Sequence, residues 1–463
     1  MKKYLVLLGA AVLVMAVATP SMAQFKSWGH MEIATQWISK QDFNNGSGTA
    51  ATTDDNRDLN QKWIAERFRY YLQYGDPKTV RAVIGFEADS NNWGEDRYRF
   101  SDGSAATSET NPSGRMGTYG ADQVQLEIKH AFLEFVIPQT PLTVTAGIQF
   151  YGFGGRLWQS KDAPGVTATA NFAPHQVQAF WWRERDNAVT GRPAYSNYEV
   201  NDTYGLAWAM TQQLFNVGAF GAYKNDQDAV THPTYVDNPW WVGLTGGFRP
   251  GNWAFTANFI YNGGKRDLLA GTDLDYKGWL IDAMAKYKIG PGLAVAVEGY
   301  YASGHDADKT DEFGEYTYPA GSEAPYGFGN DRFVFMFMNS DFMYYAGKQL
   351  YASGLWYGRA NVEYNPTPWV NLNFNYVYLA DLSKGTPGAG KVINGISSPT
   401  TYRQDKNVDY IGSEINAIAK IKIYEGFYYN IGLGYFIPGD AYDSSSKSAD
   451  SAYSVLTCLR YFF

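Results

Sequence analysis

Apolar and polar residues alternate along most of this chain with a period of two. In one stretch, Trp253, Phe255 and Phe259 fall on one face, while Thr256 and Asn258 fall on the other. The same alternation recurs in several further stretches, namely residues 279–288, 370–378 and 411–423. Because successive side chains of a β-strand point to opposite faces, this pattern predicts strands that are apolar on one face only.

The connections between these strands alternate between short and long. Most of the short ones contain proline, which pre-sets a tight turn, as in residues 138–141, 173–175 and 290–292. The long ones are polar and rich in Gly, Ser and Asp, and they are residues 39–61, 90–120, 184–199, 305–348 and 381–405. Long connections at one end only are typical of a transmembrane β-barrel, and a count of the strands gives about 18, with about 16 as the alternative.

Composition separates such a barrel from a soluble β-sandwich, whose strands also alternate. The chain has 36 Tyr, 14 Trp and 48 Gly, yet its mean hydropathy is polar, at −0.35. Aromatic residues often begin or end the apolar faces, as they do where a barrel meets the membrane interface, and the polar faces suit a wet lumen. We therefore expect an all-β fold, a transmembrane antiparallel β-barrel.

The N-terminal residues predict an export signal. Lys2 and Lys3 precede an apolar run, and the small residues of Ser21-Met22-Ala23 form a cleavage site. We expect residues 1–23 to be a signal peptide and residues 24–463 to form a single barrel domain.

Charge and cysteine content restrict the classes of partner. The formal net charge is −8, which argues against nucleic acid as a partner. Cys458 is the single cysteine, so an internal disulfide is excluded and stability must come from other sources.

The C-terminal strand predicts how the barrel closes. Leu459, Tyr461 and the terminal Phe463 alternate on an outward face, whereas Cys458 and Arg460 fall on the other. Pairing of this strand with the first one would remove both sheet edges, which lipid could not hydrate.

These residues, together with a glycine-rich segment, carry a resemblance to a known family. The chain resembles the general trimeric porins of Gram-negative outer membranes, and in length and loop spacing it looks most like the homotrimeric porins of sulfate-reducing bacteria. Phe463 and its alternating predecessors resemble the signal read by the barrel-assembly machinery. Phe153-Gly154-Gly155 matches a tripeptide of the family's third external loop, which folds into the barrel and narrows it.

The resemblance implies a function and a set of partners. It implies a bacterial outer-membrane porin that gives passive diffusion of small hydrophilic solutes and ions through a water-filled pore, forms a homotrimer, and contacts outer-membrane lipid and lipopolysaccharide. Neither an enzymatic activity nor a cofactor is expected. The alternative is a substrate-specific barrel channel for sugars or carboxylates.

The segment that would narrow the pore departs from the family pattern. An acidic residue normally stands beside the Phe-Gly-Gly, but here Arg156 follows it and the nearest acid is Asp162. The carboxylate side of a cation-favouring constriction is therefore in doubt.

Cations on the lumen faces of neighbouring strands supply candidates for the constriction. Arg67, Arg69 and Arg81 fall on the polar faces of the second and third strands, and Lys129 on that of the fourth. Guanidinium groups keep their charge at any working pH, so such a wall would favour anions. The alternative is that these arginines pair locally with acids at positions 66, 87 and 127 and only support the wall.

Two features of the longest loop stay open. Asp306, Asp308 and Asp311 are weak candidates for a calcium site, but a solvated acidic loop accounts for them better, since no glycine stands at a sharp-turn position. The histidines show no metal-ligand spacing, so no metal is expected. Residues 333–338 are apolar and fit a strand extension, a loop helix or a contact surface.

Overall fold

A computed structural model describes most of the chain. The described residues are 25–40, 61–93, 126–153, 157–186, 200–226, 235–268, 273–306, 308–319, 331–336, 342, 353–383, 410–442 and 448–463. The predicted signal peptide, residues 1–23, lies outside these ranges.

Within the described residues, eighteen long strands form one closed sheet. In chain order they are β1 Lys26–Ser39, β2 Gln61–Asp76, β3 Val80–Asn92, β4 Leu126–Val136, β5 Leu142–Phe153, β6 Gln159–Phe172, β7 His175–Asp186, β8 Val200–Thr211, β9 Phe215–Asp226, β10 Tyr235–Phe248, β11 Trp253–Leu268, β12 Gly278–Gly290, β13 Leu293–Ala302, β14 Leu355–Thr367, β15 Val370–Asp381, β16 Tyr410–Tyr424, β17 Phe427–Pro438 and β18 Ala452–Phe462. The prediction of about 18 strands is confirmed against the alternative of 16.

The barrel closes through its first and last strands. Each strand pairs antiparallel with its neighbours in sequence, and β1 pairs with β18 from His30 opposite Phe462 to Ser39 opposite Tyr453. Closure gives the backbone groups of both terminal strands a partner, as a barrel in lipid requires.

The two faces of the wall differ as the alternation predicts. On β15, Phe374 and Tyr376 point outward and are 50% and 48% exposed, whereas Asn373 and Asn375 point inward and are buried. The outer surface is therefore the apolar one, and the polar residues face the lumen. No helix among the described residues has both the length and the apolar character needed to cross a membrane.

The connections follow the predicted arrangement. Residues 173–174 and 291–292 are among the tight turns at one end, and the long connections lie at the other. Residues 150–153 of the predicted constriction segment belong to β5, and residues 154–156 lie outside the described residues, so the predicted inward-folded loop stays a prediction. In the longest connection, residues 303–354, the short strand Glu312–Phe313 pairs in parallel with Leu274–Tyr276 of the connection between β11 and β12.

Candidate functional site

A segment of the longest connection, residues 331–336, lies against the inner wall of the barrel. Glu414 of β16 faces the lumen and its side chain is completely buried. Its carboxylate accepts hydrogen bonds from the backbone N–H groups of Val334 at 2.6 Å, Phe335 at 3.1 Å and Met336 at 3.0 Å. A buried carboxylate therefore holds the docked segment, as we call residues 331–336, by its backbone.

Other lumen-facing side chains bind the remaining polar groups of the docked segment. Asn375 donates to the carbonyl oxygen of Asp331 at 2.8 Å, and Asn416 donates to that of Arg332 at 2.8 Å. The Arg332 guanidinium forms an ion pair of 2.8 Å with Glu298, which is buried on β13. Since buried polar groups must be paired, these contacts allow an irregular segment to lie inside the barrel.

Apolar contacts complete the docking. Phe335 stacks on Phe436 with ring centroids 5.4 Å apart. A side chain at Gly434 would come within 3.0 Å of the Val334 Cβ, so the wall is recessed where Val334 packs. Val334 belongs to the same apolar cluster as Cys458, which is completely buried.

A second part of the longest connection lies against the inner face of β6–β11, within the same buried cluster as Phe333 and Phe335. Trp158 stands at the centre of an inward-facing aromatic cluster and lies 4.8 Å from Phe220 and 5.6 Å from Trp241, ring centroid to ring centroid. The indole N–H of Trp241 donates to the carbonyl oxygen of Thr317 at 2.7 Å, and the Tyr316 hydroxyl group donates to the backbone of residue 157 at 3.3 Å. Residues 316–317 therefore fill the lumen beside β6–β11.

The inner wall formed by β1–β6 carries a network of ion pairs. The Glu87 carboxylate lies 3.2 Å from Arg67, 2.6 Å from Arg69 and 2.7 Å from Lys129. Lys129 also reaches Asp162 at 2.8 Å. The structure thus brings together four of the residues predicted for the constriction, and it shows the local pairing with position 87 that was the alternative interpretation.

Exposure locates the open part of the lumen at this network. The side chains of Arg69, Lys129 and Asp162 are 17%, 18% and 22% exposed, whereas that of Glu298, beside the docked segment, is not exposed at all. Solutes therefore have access to the β1–β6 wall, which adjoins the docked segment through Ala34 and Ala65 in the apolar cluster of Val334.

The other predicted residues lie elsewhere. Arg81 forms a separate pair with Glu134 at 2.7 Å, and Phe153 packs into the inward aromatic cluster. The predicted constriction residues Gly154, Gly155 and Arg156 lie outside the described residues. Among the residues that the structure describes, no group of three or more His, Cys, Asp or Glu is placed to hold a metal ion.

The predicted C-terminal features occupy the positions expected of them. Leu459 and Tyr461 are outward and 38% and 47% exposed. The Phe463 backbone exchanges hydrogen bonds with that of Gly29 at 3.0 and 3.1 Å, which fastens the last residue to β1.

Sequence reasoning missed Glu414 and Glu298 as site residues. Both fall on the polar face of an alternating strand, where the pattern gives the direction of a side chain but not its partner. The apolar run that begins at residue 333 was the only sequence signal of a docked segment. In the structure, residues 333–336 of this run form a contact surface.

Two glutamates of the longest connection, both outside the eighteen barrel strands, have pKa values shifted from the ordinary value of a glutamate. Hydrogen bonds from Lys277 and Lys309 lower the pKa of Glu312 to about 2. Burial, and to a smaller extent the carboxylate of Asp381, raises the pKa of Glu315 to about 7.

Comparison with solved structures finds the same fold in outer-membrane channels. The chain is similar to OccK1 (OpdK) of Pseudomonas aeruginosa, with 11% identity, coverage of 95% of this chain and 98% of that one, and a TM-score of 0.54. It is similar to OccAB4 of Acinetobacter baumannii, with 11% identity, coverage of 96% and 100%, and a TM-score of 0.52. A structure of OpdK with vanillate matches at 10% identity, coverage of 95% and 98%, and a TM-score of 0.54.

These likenesses concern the fold. No protein-family model and no curated protein matches the sequence. The fold is that of porin-type channels, and a closed barrel with an apolar exterior belongs in a bacterial outer membrane, as predicted.

Proposed function

We propose that this protein is a solute-selective outer-membrane channel that passes small organic anions, with carboxylates as the preferred class. The observation that carries the proposal is a set of partly exposed cations on the lumen wall. The docked segment narrows the lumen beside β13–β18, and Arg69 and Lys129, which are 17% and 18% exposed, line the adjoining wall. This replaces the expectation of a general diffusion porin by its alternative.

The charges of the network favour anions. Arg67 is buried against the buried carboxylates of residues 32 and 87. The accessible charges of this wall are the cations Arg69, Lys129 and Arg460 and the carboxylates of Asp162 and of residue 127, which lies opposite residue 87 in register. Accessible cations therefore exceed accessible carboxylates by one along this wall. In a narrow lumen bounded by low-dielectric protein, the electric field of such an excess reaches across the path, because salt screens a charge only over a distance of roughly 8–10 Å.

The choice of carboxylates over sugars rests on charge and on a structural likeness. OpdK has been crystallised with vanillate, an aromatic carboxylate. The vanillate ligand is a property of OpdK alone. A barrel of this fold can nevertheless bind a carboxylate, and this supports the proposal for a chain with accessible cations on its lumen wall.

Conductance across a planar bilayer under a salt gradient tests the proposal, because the reversal potential reports ion preference. We expect an anion preference that Glu87→Gln increases and Arg69→Gln decreases. Arg183→Gln is the matched control, since Arg183 pairs with Asp202 on the outer face of the barrel. A cation preference that these two lumen variants leave unchanged would contradict the proposal, and so would equal passage of neutral sugars and carboxylates.

We also propose the assembly that the resemblance implies. In a homotrimer, contacts between the three copies would bury part of the apolar outer surface, and outer-membrane lipid and lipopolysaccharide would contact the remainder. The barrel-assembly machinery would recognise the C-terminal end at Phe463 and insert the chain. The kinship with homotrimeric porins of sulfate-reducing bacteria and the absence of enzymatic activity are parts of the same proposal. A heat-labile species of three chains on a native gel supports it, and a monomer in mild detergent contradicts it.

A further inference from the structure

Aromatic rings line the inner wall below the ion-pair network. Trp28 of β1 and Tyr71 of β2 are opposite each other in register, with ring centroids 5.4 Å apart and planes inclined by 9°. The ring of His130 on β4 lies 5.4 Å from that of Tyr71. We call Trp28, Tyr71 and His130 the aromatic platform.

The aromatic platform faces the lumen and not the lipid. Trp28 has the same parity on β1 as Glu32, whose carboxylate lies in the inner network, and Tyr71 has the same parity as Arg69. Girdle residues of the outer surface, such as Phe68, have the opposite parity. Aromatic side chains at this place therefore do not serve as membrane anchors.

The wall is shaped to receive these rings. A Cβ atom at Gly85 on β3 would lie 2.5 Å from the Tyr71 ring, so only glycine leaves room for the ring to lie flat across β3. The Trp28 side chain remains 38% exposed. An aromatic face is thus held by the wall on one side and open to solvent on the other.

Cations surround the aromatic platform. Arg69 precedes Tyr71 by two residues on the same face of β2, and both Arg69 and Lys129, which precedes His130 on β4, bind the carboxylate of residue 87. The His130 ring itself lies 3.0 Å from the carboxylate of residue 162, which also binds Lys129. A solute stacked on the open face would lie at the edge of the region in which cations exceed carboxylates.

The aromatic platform lies near one end of the barrel. Trp28 is near the start of β1, and Tyr71 lies shortly before the tight turn after Asp76. Tight turns mark the periplasmic end of such barrels, so the platform lies at the inner mouth.

We propose that the aromatic platform is a binding site for flat aromatic monoanions at the periplasmic mouth of the channel. The inference rests on the proposed anion-selective function and adds the shape of the preferred solute. Stacking on aromatic faces is specific for planar rings, whereas the neighbouring cations attract any carboxylate. Binding at the mouth lengthens the stay of an aromatic anion, so that it interrupts the current of smaller ions.

Single-channel recording with two matched anions tests this. Benzoate and cyclohexanecarboxylate have the same charge and similar size, but only benzoate is planar and aromatic. Added to both sides of the bilayer, benzoate is expected to interrupt the chloride current at a concentration roughly 3- to 10-fold lower, the range expected of one or two stacking contacts. Trp28→Leu and Tyr71→Leu should remove that advantage and leave block by cyclohexanecarboxylate unchanged.

Control variants separate the platform from general effects. Trp28→Phe and Tyr71→Phe keep an aromatic ring and should retain most of the benzoate advantage. Trp253→Leu removes an outward-facing indole, which is 44% exposed, near the same end of the barrel and should have no effect. Heat-modifiable migration on a gel verifies that each variant forms a barrel, and the two phenylalanine variants keep the test open if a leucine variant does not fold.

Two results would overturn the inference. One is equal block of the wild-type channel by both anions, and the other is a benzoate advantage that survives both leucine variants. Failure of the proposed function is distinguishable, because it would appear as a missing anion preference in the reversal potential, which is measured without either organic anion.

Discussion

Replacement of Glu414 by alanine should release the docked segment from the wall and widen the pore. Glu414 is completely buried, and its two oxygens accept three backbone hydrogen bonds from residues 334–336. Alanine removes all three acceptor contacts at once and leaves the N–H groups facing a wall without another acceptor at that position.

The expected magnitude follows from these contacts. A buried donor left without a partner costs roughly 1–3 kcal/mol, and loss of one partner from a buried charged contact costs roughly 3–5 kcal/mol in total. At about 1.4 kcal/mol per factor of ten, the ratio of docked to released segment should fall by roughly a hundredfold to a few thousandfold. The ion pair between Arg332 and Glu298 remains and limits the loss.

The single cysteine provides a direct assay of release. Cys458 is completely buried in the apolar cluster that also contains Val334, so a small thiol reagent should modify it faster when the docked segment leaves the wall. We expect the modification rate in Glu414→Ala to rise in proportion to the released fraction, together with a larger and noisier single-channel conductance. Glu414→Gln keeps one oxygen acceptor, so its modification rate and conductance should lie between those of the wild type and those of Glu414→Ala.

Glu363→Ala is the matched control for this experiment. Glu363 is a lumen-facing carboxylate on β14 that binds Lys286 and Asn365. The Glu363→Ala substitution should leave the reactivity of Cys458 unchanged. Wild-type labelling rates and conductance in Glu414→Ala would refute the reasoning that the carboxylate holds the segment.

Three further predictions follow from the same structure. Gly434→Leu fills the recess against Val334 and should raise both thiol labelling and conductance, as measured by the same two assays, whereas no change would show that the recess is dispensable. Glu315 has a pKa raised to about 7, so the stability it contributes is complete below its unfolded pKa of about 4.3 and is lost as the pH rises through 7. The protection factors of the amides of residues 316–317, which are exchange rates corrected for base-catalysed intrinsic exchange, should therefore be lower at pH 8 than at pH 5, and Glu315→Gln should remove the difference. Equal protection factors at the two pH values in the wild type would contradict this. Glu312, with a pKa of about 2, should stay ionised from pH 4 to 8, so Glu312→Gln should not alter any pH dependence in that range, and a changed profile would count against its pairing with the two lysines.

The architecture could be predicted because lipid and water impose a simple rule on every strand. Each inward or outward direction follows from parity, so the faces of β11 and β15 and the closure by Phe463 could be derived from residues alone. Proline-rich turns then fixed which end carries the long connections.

The position of the constriction could not be predicted in the same way. The Phe153-Gly154-Gly155 tripeptide pointed to the connection after β5, but the length of a connection depends on where two strands end, and strand ends are poorly defined by alternation. Phe153 ends β5 and packs into the inward aromatic cluster, whereas the two glycines of the tripeptide lie outside the described residues. Docking of residues 331–336 depends on contacts with β13–β18 that are distant in sequence, so no local pattern reports them.

Width and charge preference are carried by separate parts of the lumen. Beside the docked segment, Arg332 and Arg359 are both paired with the buried Glu298, so this side contributes little unpaired charge to the path. The adjoining wall holds the partly exposed cations Arg69 and Lys129, which pair with Glu87 and Asp162, and its residues Ala34 and Ala65 pack in the same apolar cluster as Val334. Glu414→Ala should therefore change conductance with little effect on the reversal potential, and Glu87→Gln should do the reverse. Variants that always changed both quantities together would show that one set of residues controls both, and the separation of narrowing from selectivity would then be wrong.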